Sequence, residues 1–377
     1  MILHFFSYVL IFLLCKTTIR YRNLVVCVAI LYAMLGFFYC LTPSVDLNHH
    51  FTSINIIRMN GFETFSSNDY WKGEYGYQFF LLFISKLPYN NFLPFFSALI
   101  GYLFIGASVG KLQIYYSLTN SKTKMVLFYT LCFVNFDSMV NGIRTMLSFS
   151  ILLFFLIVDI FEKKHKLMCY VAYFVCITIH PACIVPIIIR IISYILRKKN
   201  LKLLVMLFSV WSLILSLISS FLSTLSGIPI IYTINRLLYD YTQNENSVHN
   251  IVPNLFYAIT MFVRIICIIS LIYIYIKSKN KSSTNITKKE FESFYYGIFA
   301  FIIGSFFSYH IFLRTCMISL LMSSIVIAEC YFTEKPIDII GKKISNITFI
   351  KIFAIASMLF NVFFFDRDLI FSMQLYK

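Results

Sequence analysis

Apolar runs long enough to cross a lipid bilayer recur from one end of this chain to the other, and they limit its possible folds more than any other feature. They lie at about 1–15, 24–41, 91–110, 125–138, 143–161, 167–179, 182–196, 203–225, 254–276, 291–309, 311–331 and 347–365. A hydrocarbon layer offers the backbone no hydrogen-bond partners, so each run must satisfy its own amides as a helix. The expected fold class is all-α, a polytopic integral membrane protein with about 12 transmembrane helices in a single domain over 1–377. Composition agrees, with 59% hydrophobic and 13% charged residues and a mean hydropathy of +0.80, values that exclude an ordinary soluble domain. The first run, Met1 to Cys15, has no basic residues before it and no small-residue cleavage site, and reads as a retained helix.

The net charge of +16 suggests nucleic acid only until its placement is considered. Most lysines and arginines stand in short turns between the runs, as at Lys16, Arg20 and Arg22, at Lys163, Lys164 and Lys166, and from Lys277 to Lys289. Only Arg58, Lys72, Lys86, Arg144, Arg236, Arg264, Arg314, Arg367 and Lys377 fall outside that set. By the positive-inside rule the basic set is cytoplasmic, which puts both ends of the chain and the long loops at about 42–90 and 226–253 on the outer side. The polar linker at about 277–290 is then cytoplasmic. Membrane lipids, and no nucleic acid, are the expected partners of this charge. The ten cysteines stand in or beside apolar runs with no CxxC pair, and read as small buried hydrophobes. No Walker loop or dinucleotide-binding glycine pattern occurs, so no cofactor and no metal is expected, and chemistry is expected on the outer face.

The stretch from Asn141 to Pro181 brings ionisable groups to that face. Arg144 opens an apolar run ending near Phe161; a basic turn follows, and a second run leads to His180 and Pro181. The two arms cover about 26 Å and 20 Å, enough for a hairpin that returns Arg144 and His180 to one side. A guanidinium at this depth can grip a pyrophosphate through two oxygens, or snorkel to phospholipid headgroups. His180 can act as a general base, or pack as an ordinary helix-end residue. Pro181 breaks the helix and would open a polar cavity there. Arg264 lies near the middle of its run, where facing lipid costs about 3 kcal/mol, so it is expected to face the interior. Arg314 and Arg236 add outer-side cations suited to anion binding.

The first outer loop, SVDLNHHFTSINIIRMNGFETFSSNDYWKGEYGYQFF, holds Asp46, Trp71, Glu74 and Tyr77. Aromatic faces beside carboxylates suit sugar rings, whose C–H faces pack on Trp or Tyr while hydroxyls bond to acids and amides. The same aromatics also suit an interfacial belt. The Gln78–Leu87 portion is too short to cross and is expected as a re-entrant or surface helix.

In this layout the chain resembles the EpsG-like branch of the Wzy-type polysaccharide polymerases. The resemblance rests on Asp46 with the loop behind it, the Glu74-Tyr75-Gly76-Tyr77 turn, Arg144 opening a helix, His180 after a basic turn, and the late Arg314. Tyr75 stands where the family usually has Pro, and Ser44-Val45 stands where an Arg often precedes the Asp. The resemblance implies a glycosyltransferase of the bacterial cytoplasmic membrane that joins polyprenyl-pyrophosphate-linked repeat units, serving as donor and acceptor, into O-antigen, capsule or exopolysaccharide. Arg144, with Arg264 or Arg314, would hold the departing pyrophosphate, and His180 would be the base. Glu74 or Asp46 would be an alternative base or position the acceptor, and a chain-length regulator is a further implied partner. A lipid-linked oligosaccharide flippase or other transporter, and a glycan ligase of the same pathway, are the alternatives that the residues leave open.

Overall fold

The structure is a computed structural model that describes residues 2–39, 46–66, 73–196, 205–206, 208–210, 255–278, 286–305, 309–333, 336–339 and 342–365. Helices form where the apolar runs stand. In chain order they are α1 (Ile2–Lys16), α2 (Tyr21–Phe37), α3 (Asp46–Ser66), α4 (Tyr75–Ser85), α5 (Phe92–Tyr116), α6 (Asn120–Phe133), α7 (Phe136–Val140), α8 (Ile143–Ile157), α9 (Lys166–Ile179) and α10 (Ile184–Leu196). Further helices occupy Leu255–Ser278, Ile286–Gly304, Tyr309–Leu321, Ser323–Thr333 and Asn346–Phe360.

Among the described residues, five segments are long and apolar enough to cross a membrane: Phe92–Tyr116, Ile143–Glu162, Ala258–Ser278, Ile311–Thr333 and Asn346–Phe364. The outward faces of the apolar helices, shorter ones such as α9 included, fit a hydrocarbon solvent. On α9, Leu167 is 78% and Phe174 67% exposed, side chains that water would drive inward and lipid does not. The chain is a membrane-embedded helical protein.

The structure departs from the sequence expectation in several places. The segment expected as the first outer loop is largely helical over its described residues, with α3 bent at Gly61 (φ 82°) and α4 matching the short helix expected near Gln78. The apolar run at 125–138 is divided. Helix α6 starts early, at Asn120, because the Thr119 side chain caps it by accepting from the Lys122 amide. It takes in Lys124, whose buried ammonium donates to the Thr17 carbonyl at 2.5 Å. Asn135 then caps α7 through the Asp137 amide. Among the described residues, one antiparallel hairpin interrupts the all-helical plan, pairing Pro336–Ile339 with Lys342–Ser345 and setting Pro336 opposite Ser345. Most of the run at 203–225, and all of the segment 226–253 expected as the second outer loop, lie outside the described residues, as do 279–285 of the expected linker.

The chain divides into two compact units, Met1–Ile184 with Leu271–Asn280 and Leu320–Lys377, and Val185–Ser270 with Lys281–Ser319. In the first, α5 is the post against which the site is built. It packs on α2 at backbone distance because Gly106 has no side chain: a Cβ there would lie 2.3 Å from Val25 Cγ1. Without a hydrophobic driving force between helices in lipid, such small-residue contacts hold them together. The Tyr21 hydroxyl seals this one by donating to the Gly106 carbonyl at 2.6 Å. Toward one end the rings of Tyr32 and Tyr102 stack with centroids 4.1 Å apart, and His4 and Phe136 close the same cluster. On its other side α5 carries α8, whose first turn holds Arg144.

In the second unit, Arg190 on α10 meets Glu290 on the Ile286–Gly304 helix at 3.6 Å, both side chains buried. A buried charge in a helical membrane protein needs such a partner.

Candidate active site

Four helix boundaries of the first unit deliver polar side chains to one place. Helix α3 begins at Asp46, α4 follows Glu74, α8 begins just before Arg144, and α9 stops before His180. Each boundary has a local cause. Gly73 takes φ 90°, a left-handed conformation open to glycine without penalty, and turns the chain into α4 with Glu74 at its N-cap. The Glu74 side chain caps nothing; its carboxylate goes across the unit instead. At the other boundary Pro181 cannot continue α9 and holds the residue before it extended, so His180 sits at φ −153°, ψ 122° and starts a short 3-10 turn.

The cluster is ordered around Glu74. Arg144 Nη1 donates to both carboxylate oxygens, each at 2.9 Å. His180 Nδ1 lies 3.5 Å from Glu74 Oε1. The Arg144 guanidinium carbon stands 5.9 Å from the centre of the Tyr77 ring, at the reach of a cation–π contact. Tyr77 and His50 are fully buried, with the tyrosine hydroxyl 2.9 Å from His50 Nδ1. His50 Nε2 in turn lies 3.6 Å from Asp46 Oδ2, one helical turn back on α3. Asp46, His50, Tyr77, Arg144, Glu74 and His180 thus form one continuous line of contacts.

Charge balance follows from these neighbours. Burial alone would raise the Glu74 carboxyl pKa, but the His180 and Arg144 contacts outweigh it and hold the group below its usual range. Burial likewise acts to raise Asp46, and the contact with His50, helped by Arg144, overrides it and holds the carboxyl at about 2. The His50 imidazole is pushed down by burial against the pull of Asp46, which favours its neutral form.

Of the residues singled out in the sequence, Asp46, Glu74, Tyr77, Arg144 and His180 come together here. Arg264 is buried and Arg314 half-buried in the second unit. Trp71 and Arg236 lie outside the described residues. His50 was not singled out, although its spacing of four from Asp46 would place both on one face of a helix had the loop been read as helical. Among the described residues, no three His, Cys, Asp or Glu side chains are grouped as metal ligands.

A carboxylate beside His180 Nδ1 favours the tautomer with its proton on that nitrogen, and in that tautomer Nε2 is the proton acceptor, the arrangement of a carboxylate-oriented base. Arg144 supplies a permanent positive charge in reach of the same carboxylate.

Gly76 keeps α4 close enough for this. A Cβ at Gly76 would lie 2.6 Å from Thr178 Oγ1 and 3.2 Å from the Thr178 carbonyl carbon, so Gly76→Ala must push α4 away from the end of α9 and draw Glu74 off His180. We expect the crowding in Gly76→Ala to lower the thermal stability of the purified protein, with part of the loss recovered on adding Thr178→Ala. Equal losses in the single and double variants would show that crowding at Thr178 is not the cause.

No family model, no curated protein and no solved structure matches this chain.

Proposed function

We propose that the chain is a polysaccharide polymerase that joins polyprenyl-pyrophosphate-linked oligosaccharide repeat units at the outer face of the bacterial cytoplasmic membrane. The observation that carries this reading is the meeting of Arg144, Glu74 and His180 in one largely buried cluster. A glycosyl transfer from a lipid pyrophosphate needs a base for the attacking hydroxyl and a fixed cation for the leaving group, and the cluster holds one of each. His180 Nε2 takes the proton of the acceptor sugar hydroxyl. The freed oxygen bonds to the anomeric carbon of the donor glycan, the bond from that carbon to the pyrophosphate oxygen breaks, and Arg144 balances the charge on the departing polyprenyl pyrophosphate. Glu74 orients His180 and holds Arg144 until substrate arrives; Asp46 and Tyr77 line the approach, with Trp71 as a sugar platform in the same loop. Arg236, Arg264 and Arg314 are further anion-binding candidates.

The same reading takes about twelve spans, with both ends of the chain and the loops near 42–90 and 226–253 outside, and the 277–290 linker inside. The basic turns support it through the positive-inside rule.

The test is the length of surface glycan in cells lacking the chain. Polymerase loss leaves single repeats outside the membrane. Long chains retained on their lipid carrier would make the protein a ligase, and repeats trapped inside would make it a flippase; either result contradicts the proposal.

A further inference from the structure

The line of contacts extends past Arg144 to Tyr77 and His50, to which the proposed transfer gives no proton to move, and their hydrogen-bonding capacities assign them a task. A carboxylate only accepts hydrogen bonds. Asp46 therefore places the proton of neutral His50 on Nε2, which faces it at 3.6 Å. Nδ1 is then a lone-pair acceptor, and at 2.9 Å it takes the hydroxyl hydrogen of Tyr77. While His50 is neutral, that hydrogen is committed. When His50 gains a proton, Nδ1 becomes a donor, Tyr77 must accept from it, and the hydroxyl hydrogen has to turn to another acceptor. The tyrosine ring lies beside the Arg144 guanidinium, so an anion held by Arg144 is an acceptor to which this hydrogen can be offered.

We propose that His50 is a proton-operated switch that makes the Tyr77 hydroxyl a second donor to the pyrophosphate bound at Arg144, so that pyrophosphate binding is coupled to uptake of a proton by His50. This rests on the proposed anion site. Charge supports the coupling. In the resting cluster Asp46 and Glu74 are negative and Arg144 is the positive group between them, so an arriving pyrophosphate meets a site with no surplus positive charge. The titratable or charged groups facing His50 and Tyr77 are Asp46 and His49 on α3, Glu74 ahead of α4, Arg144 on α8, and His180 beyond Glu74. His180 is assigned to the proposed transfer as its base, and the comparison with His50→Gln separates proton uptake at His50 from uptake elsewhere. Linkage fixes the sign: a group that gains a proton on binding strengthens binding as pH falls toward its bound-state pKa.

The test is calorimetric titration of the full-length protein, in detergent, with inorganic pyrophosphate between pH 6 and 8, in buffers of different ionisation enthalpy. Wild type and His50→Gln are compared at each pH, which cancels the ligand's own protonation. The expected result is net proton uptake in wild type beyond that of the variant, with affinity rising as pH falls by up to about tenfold per unit relative to the variant. Asp46→Asn, at a half-exposed position, keeps the imidazole but removes the group that fixes its tautomer, and should shift the uptake to lower pH. Identical pH dependence in wild type and both variants overturns the switch and leaves the anion site standing. No pyrophosphate binding by wild type at any pH overturns the anion site itself and the switch with it.

Discussion

Replacing Arg144 by Ala is expected to collapse the surface glycan to single repeats, and His180→Ala is expected to do the same. The two losses differ in origin. Removing a preorganised positive group from a leaving-group site costs about 10²–10³ in rate, and removing a general base costs about 10²–10⁴. Arg144→Lys separates charge from shape: a lysine keeps the positive charge but loses the planar fork, so a partial loss with shortened ladders is expected. His180→Gln retains a polar side chain at the helix break but cannot take a proton, and should be as inactive as His180→Ala. The measurement is glycan length on gels from cells with equal amounts of membrane-inserted protein. Long ladders in His180→Gln would remove His180 from the chemistry.

The second large effect is on stability and centres on Glu74. This buried carboxylate is the counter-charge to a largely buried guanidinium, at 2.9 Å. Taking away one member of a buried pair leaves the other uncompensated, at about 3–5 kcal/mol, whereas replacing both by apolar groups is often nearly neutral. Glu74→Ala should therefore lower the thermal stability of the purified protein strongly, and Glu74→Ala with Arg144→Met should recover most of it while remaining inactive. The pH dependence has a definite sign. The Glu74 carboxyl is held below its usual range, so its contribution is fully present above that range and is lost as the pH falls through the lowered value. Wild type should lose stability on strong acidification, and the double variant should lose less. Additive destabilisation in the double variant would contradict the pairing.

Much of this architecture was legible in the sequence, because lipid enforces simple rules. The runs at 143–161 and 167–179 became α8 and α9 nearly to their ends, since an apolar stretch in hydrocarbon has no alternative to helix. His180 before Pro181 was legible as a break for the same local reasons that make it one. The partition of 125–138 was not, because it depends on the Thr119 and Asn135 side chains capping separate helices, a choice invisible to hydropathy. Nor was α3, whose polar residues carry no apolar stripe of spanning length. The site was legible as a set of residue types and not as a set of pairs. Glu74 drew notice from its glycine-flanked turn, yet its place between Arg144 and His180 depends on Gly76 letting α4 approach α9. His50 was hidden because a loop reading of its segment leaves the spacing from Asp46 without meaning.

The central claim is that this cluster transfers a glycan from one lipid pyrophosphate to another. Its most direct test is reconstitution: the purified protein in liposomes, given a polyprenyl-pyrophosphate-linked oligosaccharide and no nucleotide. The account predicts longer lipid-linked glycans with release of one polyprenyl pyrophosphate per bond formed, and neither product from Arg144→Ala. Repeat units that cross the bilayer unchanged, with no lengthening and no pyrophosphate released, would contradict it.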